Sequence, residues 1–598
     1  MKLQEHLGLM EFFPFDHYLK PTKNQISALE ATAKNDSTLL ELPTGSGKTA
    51  IGYTFLRALE SSGKSPLFYI VPNKTLVNQV RELHPDVKVV YGRNEYPCLF
   101  YTHENVSADE SPCSMLDCPH RVNQETGETE AGGVEPCPYL QAKYKAKQGG
   151  IIVCTMSFYL FTHLFSKEWE ETEGLVIDEV HRLSSVFRSS LSYEITDHYL
   201  EKVIELLSEI SPEDARIISN FRRKMMDIIK SRPPRTATLL EGNEVIELLG
   251  ELYKIDPRKL RKDVKEAVRR GNIDPVSRRE VLKKTETITR SLVRYLKSLE
   301  YSLPTAKLNP LNYSYAYYEK DPNCNGDGNG KSKYRLVIKA YYVAPLIRKI
   351  LPEKTLAYSA TIGDPEIIKF ETGINFPFYT FPSEFPAKNT RIFLPTDTPN
   401  LAMKSRNRQD LTRSLRKIAK AAKTFADSGL RSLVVVVSEL ERQKFMMLAG
   451  EEGVKAISYG NGVKPRIAAE KFKSGEGDVL VGTVSNYGEG VDFPKKIAQV
   501  TFFLRPGYSN PNDPLTIFEE RRYGNARWRI WNWRVMLEAL QVRGRNVRSA
   551  KDTGVTIFVS QQFNRFLFAS LPAWLKESYE GKLKWNECVN QTLEMFGK

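Results

Sequence analysis

Short apolar runs alternate with amphipathic stretches in the first part of the chain. Strand-like runs are found at Thr38–Leu42 and Leu67–Val71, and helical patterns follow them from Lys48 and near Leu76–Leu83. Alternation of strands and helices is typical of a parallel sheet that is covered by helices. The pattern therefore predicts an α/β domain that begins near residue 36.

Two segments interrupt this alternation. Residues 93–149 are rich in Cys, Pro, Gly and Glu and show little periodicity, whereas residues 193–345 contain long charged helical segments such as Tyr199–Ile210 and Asp263–Lys297. Apolar strand character returns between them, at Leu175–Ile177. We therefore interpret both segments as insertions into the first sheet domain. The basic face of the second insertion is equally compatible with contact to DNA and with simple solvation.

A second α/β unit is predicted after Arg391. Its strand-like runs are Leu433–Val437, Val479–Val481, Val500–Leu504 and Val555–Val559. A chain of 598 residues is too long for one hydrophobic core, because single cores stop growing at roughly 250–300 residues. Two sheet domains with insertions agree with this length.

The charge of the chain favours a polyanionic partner. There are 86 Lys and Arg residues against 72 Asp and Glu, a formal net charge of +14. Contacts to phosphates release condensed counterions, although many soluble proteins are basic without binding nucleic acid. No run of about 18 apolar residues suggests a membrane span, and the first residues lack a secretion signal. We expect a cytoplasmic, nucleoid-associated protein, or a nuclear one in a eukaryote, without a membrane partner.

The segment Leu39–Thr49, LLELPTGSGKT, combines an apolar strand, a Gly-x-Gly-Lys-Thr turn and the start of a helix. Glycines in this position let backbone N–H groups surround phosphate, and the helix start favours negative charge. Lys48 is predicted to reach the β- and γ-phosphates of ATP, and the Thr49 hydroxyl to bind Mg²⁺. Leu42 replaces the usual glycine, so the loop is a variant. The predicted nucleotide-binding residues of this loop are Thr44, Gly45, Ser46, Gly47, Lys48 and Thr49.

A second candidate segment, Leu175–Leu183, reads LVIDEVHRL and ends an apolar strand in two adjacent carboxylates. Asp178 is predicted to hold Mg²⁺, and Glu179 to orient and deprotonate the attacking water. Carboxylates at a strand end are not specific alone, but they become so together with the phosphate loop. The Asp-Glu-x-His pattern resembles that of DEAH helicases, in which the histidine, here His181, links this motif to later ones.

Near the end of the second unit, Gln541–Arg548 reads QVRGRNVR. This resembles helicase motif VI, Gln-x-x-Gly-Arg-x-x-Arg, which assigns a catalytic role to Gln541. Arg545 and Arg548 are three residues apart and so share a face of a helix. We expect both to reach across a cleft to the γ-phosphate as arginine fingers, which would tie closure of the cleft to ATP binding.

Further segments resemble helicase motifs and follow in the same order. They are Lys20–Gln25 (KPTKNQ), in which Gln25 would read adenine; Val71–Gln79 (VPNKTLVNQ); Thr355–Ile362 (TLAYSATI); Leu433–Ser438; and Tyr487–Pro494 (YGEGVDFP), in which Glu489 and Asp492 occupy nucleotide-site positions. Each match is weak alone, but the ordered series across residues 20–560 is specific. The chain resembles the XPD/DinG family of superfamily-two helicases.

This resemblance implies the arrangement of the whole chain. The fold is expected to be α/β, with two RecA-like parallel-sheet domains, the first interrupted by an iron–sulfur insertion and by a mainly helical Arch insertion. The expected ranges are helicase domain one at 1–92, 150–192 and 346–375; the iron–sulfur domain at 93–149; the Arch domain at 193–345; and helicase domain two at 376–598.

Four of the seven cysteines lie in the first insertion, at Cys98, Cys113, Cys118 and Cys137. Disulfides are rare in reducing compartments, so clustered cysteines favour a metal or redox site. The gaps of 14, 4 and 18 residues lack the paired two-residue spacings of zinc modules. Zinc and free thiols stay open on spacing alone. The resemblance implies a 4Fe–4S cluster, which takes four thiolates.

The resemblance also implies the activity. We expect an ATP- and Mg²⁺-dependent DNA helicase that acts in DNA repair as a monomeric motor on single-stranded and forked DNA. The family resemblance alone implies a 5′ to 3′ polarity. Arg93, Tyr96 and the run Arg521–Arg534 are candidate DNA contacts, although most of that run is expected to pack. The alternatives are a translocase that unwinds poorly, an ATP-dependent binding scaffold, and an RNA substrate.

Overall fold

The structure is a computed structural model. It describes residues 8–598 apart from 103–104, 167, 170, 234–237, 241, 294–313, 320–333, 384–385, 404, 406, 408, 461, 488–496 and 544–551. Within the described part, no helix has the length and apolar character that crossing a membrane requires.

The first domain is built on a parallel sheet of seven strands in the order β11-β1-β10-β5-β2-β4-β3. Its central strands are buried on both faces, as the apolar runs predict. The strands are β1 (Ser37–Glu41), β2 (Leu67–Val71), β3 (Lys88–Val89), β4 (Ile151–Thr155), β5 (Gly174–Asp178), β10 (Thr355–Ser359) and β11 (Phe378–Thr380). Its helices are α1 (Lys23–Ala33), α2 (Lys48–Ser61), α3 (Lys74–Leu83), α5 (Met156–Leu160), α6 (Leu183–Ser190), α12 (Ala344–Lys349) and α13 (Pro365–Thr372).

The second domain has its own seven-stranded parallel sheet, in the order β14-β15-β13-β16-β17-β12-β18. The strands are β12 (Thr390–Phe393), β13 (Ser432–Val436), β14 (Ala456–Ile457), β15 (Val479–Thr483), β16 (Val500–Phe503), β17 (Gly554–Phe558) and β18 (Tyr579–Glu580). The helices are α14 (Asp410–Asp427), α15 (Glu439–Glu451), α16 (Pro465–Lys473), α17 (Val484–Tyr487), α18 (Pro514–Tyr523), α19 (Arg527–Arg543), α20 (Leu567–Ser570) and α21 (Trp585–Met595). The predicted α/β class with two parallel-sheet domains is confirmed.

The sheet places the end of the first domain later than the sequence suggested. Strand β11, Phe378–Thr380, pairs in parallel with β1 and so belongs to the first sheet. The boundary expected between residues 375 and 376 therefore moves past Thr380. The strand is only three residues long, too short to produce a recognisable alternation in the sequence.

The second insertion contains helices and a four-stranded antiparallel sheet of order β6-β9-β8-β7. The sheet was not predicted. Its strands are β6 (Ser192–Thr196), β7 (Thr238–Leu239), β8 (Ser314–Glu319) and β9 (Tyr334–Lys339). The helices are α7 (Asp197–Ile210), α8 (Pro212–Lys230), α9 (Gly242–Leu252), α10 (Pro257–Arg269) and α11 (Arg279–Glu286).

The expectation of one long helical segment at Asp263–Lys297 was wrong within the part described. Helix α10 ends at Arg269, and α11 begins only at Arg279. Gly271 between them has a φ of 75°, a left-handed conformation that glycine adopts readily. Pro275 follows in the same break, where a helix could not continue through the backbone clash that proline creates.

The first insertion has little regular structure apart from α4 (Pro138–Lys147) and short turns. It packs against the second insertion through polar contacts. Asp117 accepts hydrogen bonds from Lys265 Nζ at 2.7 Å and from Arg269 Nε at 2.8 Å. The Ser114 N–H donates to Glu286 Oε1 at 3.0 Å. The loop that carries Cys113 and Cys118 is therefore held from the side of the helical insertion.

Helix α19 joins the two domains because each buries one of its faces. Ile530, Trp533 and Leu537 belong to the hydrophobic core of the first domain and the second insertion. Met536 and Leu540 belong to a core of the second domain. The three- and four-residue spacings put each set on one side of the helix.

A buried network of charges accompanies this apolar contact. Glu371 of α13 accepts hydrogen bonds from Arg188 at 2.7 Å and from Arg534 of α19 at 2.9 Å. Arg534 also binds Glu519 of α18 at 2.6 Å. Burial alone would raise the pKa of Glu371, but the charges of Arg188 and Arg534 lower it to about 2. The carboxylate is therefore ionised and fully paired.

The substitution Arg534→Ala is expected to destabilise the protein strongly. It leaves Glu371 and Glu519 buried with one partner fewer, and breaking a buried pair from one side costs about 3–5 kcal/mol. The free energy of unfolding, measured with denaturant, tests this. Arg529→Ala is the matched control, because Arg529 also pairs across the domains, with Asp364, but its side chain is 62% exposed. Exposed pairs contribute roughly 0–1 kcal/mol, so equal losses from both variants would contradict the importance of the buried network.

Candidate nucleotide site at the first sheet edge

The site residues of the first domain come from three neighbouring parallel strands. Strand β10 lies between β1, which precedes the phosphate loop, and β5, which ends at Asp178. The carboxyl ends of parallel strands meet at one edge, where α/β domains bind ligands. The phosphate loop, the paired carboxylates and Ser359 are therefore brought to the same edge, although they are far apart in sequence.

The phosphate loop leads from β1 into α2. Gly45 and Gly47 have φ angles of 83° and 68°, left-handed values that suit glycine, and Gly47 is the N-cap of α2. Lys48 is the first residue of this helix, and its positive charge acts on the carboxylates of Asp178 and Glu179. Ser46 Oγ is buried and has no hydrogen-bond partner among the described residues. Such a polar cradle can accept the oxygens of a phosphate.

Asp178 has the properties of a magnesium ligand. Its Oδ2 accepts a hydrogen bond from the Tyr69 hydroxyl at 3.2 Å, whereas Oδ1 is buried without a partner in the described part of the chain. Burial and the neighbouring charge of Glu179 raise the pKa of Asp178 to about 7, against the lowering effect of Lys48. A cation bound at Oδ1 would offset both unfavourable effects. The chemistry of Asp178 therefore suits Mg²⁺, and Thr49 as a second protein ligand stays a prediction.

Glu179 follows directly and has a φ of 54°, an uncommon left-handed value for a non-glycine residue. Its Oε2 accepts a hydrogen bond from Ser359 Oγ at 2.9 Å. Burial raises the pKa of Glu179, but the charges of Lys48 and His181 and the Ser359 hydrogen bond lower it, and the net direction is downward. Glu179 is therefore ionised and able to accept a proton.

A chain of hydrogen bonds connects Glu179 to the second domain. Ser359 Oγ is 2.6 Å from His181 Nδ1, and His181 Nε2 is 2.6 Å from Gln541 Nε2 of helix α19. Gln541 Oε1 in turn accepts from Arg182 Nη1 at 3.3 Å. The expected linking role of His181 thus has a direct geometric counterpart.

The direction of the hydrogen bonds follows from the donors. The Gln541 amide nitrogen can only donate, so His181 Nε2 accepts, Nδ1–H donates to Ser359, and Ser359 donates to Glu179. Burial lowers the pKa of His181 to about 4, which agrees with a neutral ring. Gln541, His181 and Ser359 therefore each donate one hydrogen bond toward Glu179. The position of the second domain is thereby linked to the position of the Glu179 carboxylate.

Several predicted site residues are not described by the structure. Arg545, Arg548, Glu489 and Asp492 all lie outside the described residues. Gln25 is described and buried. Its amide accepts from the Thr22 N–H and donates to Gly47 O at 3.3 Å, so it is engaged with the phosphate loop. Reading of adenine by Gln25 stays a prediction, and it would require this amide to change partners.

The four cysteines of the first insertion lie within electrostatic reach of one another. Burial, with smaller contributions from the nearby Cys113, Cys98 and Cys137 thiols, raises the pKa of the Cys118 thiol to about 11. Arg93 Nη2 is 3.0 Å from Cys113 Sγ. Four thiols in one neighbourhood suit a 4Fe–4S cluster as donors, although no group of three or more His, Cys, Asp or Glu in the described ranges is arranged as a metal site.

A cavity of about 660 Å³ lies between the first domain and the two insertions. Six aromatic side chains line it, together with four basic and four acidic ones. The basic ones are Lys74, Arg93, Lys283 and Arg290. Aromatic faces and cations in one channel are the features that bind single-stranded nucleic acid without reading its sequence. Arg93 lines the cavity, whereas the hydroxyl of Tyr96 accepts a hydrogen bond from the Tyr91 N–H at 3.1 Å.

The run Arg521–Arg534 is less packed than expected. Ile530 and Trp533 are buried, whereas Arg521, Trp528 and Arg529 are exposed. The Trp533 indole N–H donates to Ile362 O at 2.8 Å, and the Trp531 indole donates to Glu519 at 2.7 Å. Of the three tryptophans in the run, Trp528 is the exposed one, at 46%.

Sequence reasoning missed Glu41 and Trp574 as residues of the site region, and it assigned Trp533 only to a run of candidate DNA contacts that was expected mostly to pack. Glu41 is the last residue of β1 and is 1% exposed. A single carboxylate in the apolar run LLELP was the available signal, because an acidic residue in a strand buried on both faces needs a partner. The contacts of the two tryptophans depend on tertiary structure and leave no local pattern.

Two family profiles match the chain. The family described as type III restriction enzyme, res subunit, matches residues 18–208, and the helicase C-terminal domain family matches residues 410–578. The two matches cover the phosphate-loop side and the second domain respectively.

Solved structures of XPD proteins share the fold. An XPD helicase is 15% identical, with a TM-score of 0.53 and coverage of 95% of this chain and 97% of the other. Apo XPD is also 15% identical with a TM-score of 0.53, covering 94% of this chain and 100% of the other. Xpd4 from S. tokodaii is 15% identical with a TM-score of 0.54, covering 93% and 98%. At 15% identity, these similarities show a shared fold.

The substitution Gly47→Ala is expected to weaken nucleotide binding at least about tenfold, which is equivalent to about 1.4 kcal/mol. An added Cβ would meet Gln25 Nε2 at 2.3 Å while the φ of 68° disfavours alanine. Titration with a fluorescent ATP analogue measures the effect. Gly63→Ala is the control, since Gly63 has a φ of 76° but open space around it. Equal affinity of both variants would show that the loop geometry at Gly47 is unimportant for binding.

Proposed function

We propose that the chain is an XPD/DinG-like helicase of superfamily two, which hydrolyses ATP to move along single-stranded DNA and to unwind duplex DNA in the 5′ to 3′ direction. The observation that supports this most is the hydrogen-bond chain from Gln541 through His181 and Ser359 to Glu179. It connects the second domain to a carboxylate beside the phosphate loop. A motor needs such a connection, because domain movement must depend on the state of the nucleotide.

The chemical step is hydrolysis of the γ-phosphate of ATP. Water attacks the γ-phosphorus, the bond to the β-phosphate oxygen breaks, and ADP and phosphate leave. Ser359 holds Glu179 Oε2, and we assign the other oxygen, Oε1, to accept the proton of the attacking water. Lys48 neutralises the charge that develops on the leaving phosphate oxygens. Mg²⁺, held by Thr49 and Asp178, would neutralise further charge on the β- and γ-phosphates.

The second domain would complete the site when the cleft closes. Helix α19 ends at Arg543, and Arg545 and Arg548 follow within the same motif. We assign them as arginine fingers for the γ-phosphate, with Glu489 and Asp492 as further nucleotide-site residues, and Gln25 as the adenine contact. Positive charge from the opposite domain would make hydrolysis depend on closure.

Single-stranded DNA is proposed to pass through the 660 Å³ cavity between the first domain and the insertions. Its acidic side chains roughly balance its basic ones, so base stacking on the aromatic side chains would carry most of the contact. The net charge of +14 on the whole chain supports a polyanionic substrate. Forked DNA, a monomeric motor and a role in repair follow from the family resemblance.

We propose a 4Fe–4S cluster on Cys98, Cys113, Cys118 and Cys137. The support is the neighbourhood of four thiols and the position of the insertion between the second strand and the paired carboxylates. A bound cluster would cross-link a segment that has little regular structure of its own. The proposed units are the sheet domain 1–92 and 150–192 with its end past Thr380, the cluster domain 93–149, the Arch-like insertion 193–345 and the second domain after it.

Two other activities would use the same ATP site. A translocase that separates strands poorly shares every assigned residue, and a strand-separation assay on forked DNA distinguishes it. RNA in place of DNA is distinguished by comparing stimulation of hydrolysis by single strands of each kind. An ATP-dependent binding scaffold is disfavoured by the ionised and well-placed Glu179.

The substitution Lys48→Ala is expected to lower DNA-stimulated ATP hydrolysis at least about 100-fold, because preorganised charge at the transferred phosphoryl group is lost. Release of phosphate in the presence and absence of single-stranded DNA measures this. Lys64→Ala serves as the control, since Lys64 pairs with Glu173 at the surface, away from the loop. Hydrolysis by the Lys48 variant at the rate of the control would exclude the assigned site.

The substitution Cys113→Ser is expected to reduce bound iron to well below four atoms per chain and to impair unwinding more than ATP hydrolysis. The serine hydroxyl is a poor iron ligand, whereas the cysteine thiolate that it replaces is a soft and strong one. Iron analysis of protein purified without air tests the assignment, with an absorption spectrum beside it. Cys588→Ala is the control because Cys588 is buried in the core of the second domain. Iron content that is equal in both variants would remove Cys113 from the ligand set.

A further inference from the structure

Glu41 stands at an unusual position for a carboxylate. It ends β1, immediately before the phosphate loop, and is paired in the parallel register with Ser359 on β10. Only 1% of its surface is exposed. A buried carboxylate is unfavourable unless hydrogen bonds and charges compensate for its lost hydration. The partners of Glu41 therefore indicate what this position is used for.

Those partners belong to the loop that follows Ser359. Glu41 Oε1 accepts hydrogen bonds from the N–H of Ile362 at 2.9 Å and from the N–H of Gly363 at 2.6 Å. One oxygen thus holds two successive backbone groups, which fixes the loop relative to the strand that carries the phosphate loop. Gly363 has a φ of 64° and can present its N–H in this way without strain.

Residues of the second domain donate hydrogen bonds to the same loop, which follows Ser359. The indole N–H of Trp574 donates to Ala360 O at 3.1 Å, and that of Trp533 donates to Ile362 O at 2.8 Å. A Cβ at Gly363 would lie 3.4 Å from the backbone oxygen of Ser570, so the second domain packs directly on this turn. The loop between residues 360 and 363 is therefore held between Glu41 and the second domain.

Glu41 itself is reached by the second domain. Burial raises the pKa of Glu41, while the N–H groups of Gly363, Ile362 and Ala573 and the charge of Lys576 lower it. Ala573 and Lys576 lie in the short helical turn of the second domain that also carries Trp574. The carboxyl group thus meets three elements: the phosphate-loop strand, the loop after Ser359 and this turn.

We propose that Glu41 is a positioning residue for ATP hydrolysis. It anchors the loop 360–363 so that docking of Trp574 and Trp533 sets Ser359 at hydrogen-bond distance from Glu179. The inference rests on the proposed ATP hydrolysis and adds a second route between the domains, independent of Gln541. Glu41 does not touch the nucleotide, so its effect on turnover is indirect.

The alternative is that Glu41 only stabilises the turn or the phosphate loop. A purely structural role would lower the unfolding temperature, and a role in shaping the phosphate loop would weaken ATP binding. A positioning role through Ser359 predicts a lower kcat at nearly unchanged KM, because the ground-state contacts to ATP remain while the catalytic carboxylate is misplaced. Misplacement of a catalytic group by about 1 Å lowers turnover by up to about 100-fold.

The test compares Glu41→Ala and Trp574→Phe with the wild-type full-length chain. The first variant removes the acceptor, and the second removes only the indole N–H that holds Ala360 while keeping an aromatic ring. Both are expected to lower the kcat of DNA-stimulated ATP hydrolysis about 10- to 100-fold, with KM for ATP within about threefold. Phe568→Leu is the matched control, because Phe568 is an exposed aromatic residue of α20 in the second domain whose ring contacts Tyr579, and it should leave kcat unchanged.

Each outcome decides between the roles. Unchanged kcat in Trp574→Phe, or a raised KM with unchanged kcat in Glu41→Ala, would overturn the inference. If Glu41→Ala does not fold, Trp574→Phe and Glu41→Gln decide, since glutamine keeps an acceptor oxygen for the two N–H groups and should recover at least part of kcat. Wild-type protein without any ATP hydrolysis would contradict the proposed function itself, whereas normal wild-type hydrolysis with unaffected variants contradicts only the role of Glu41.

Discussion

The structure depends on one helix that both domains bury. Helix α19 puts Ile530, Trp533 and Leu537 into the core of the first domain, while Met536 and Leu540 belong to the second. A helix that is apolar on both sides cannot leave either domain without exposing hydrophobic surface. These apolar contacts therefore couple the two domains through α19, and Gln541 near the C-terminal end of the helix lies at hydrogen-bond distance from His181.

This constraint explains why the polar contacts between the domains are so complete. The apolar stripe excludes water, and hydrogen bonds and ion pairs beside it are stronger for that reason. An unpaired polar group in this place would lower the stability of the fold. Glu371 and Glu41 each have partners from more than one element, and Glu519 binds Trp531 and Arg534 of α19. A small shift of α19 would then change all of these contacts together. Such coupling suits a protein whose domains respond to a nucleotide.

Much of the fold and of the site could be predicted because the signals are local. The strand before the phosphate loop, the strand ending at Asp178 and the glycines 45 and 47 are each readable from a few residues. Other features were hidden because they depend on tertiary contacts. Strand β11 pairs with β1 across more than 300 residues of sequence, the break after Arg269 depends on a glycine turn, and the partners of Glu41 are also more than 300 residues away. The pattern of residues 541–548 predicted the arginine fingers, and Gln541 is the member of it that the structure describes at the interface.

The central claim is that the two domains clamp one nucleotide, with Lys48 and Glu179 on one side and Arg545 and Arg548 on the other. An experimental structure with a non-hydrolysable ATP analogue, Mg²⁺ and single-stranded DNA tests it most directly. We expect the γ-phosphate to lie within hydrogen-bond reach of Lys48 and of at least one of the two arginines. Guanidinium groups that face away from the nucleotide in that complex would contradict it.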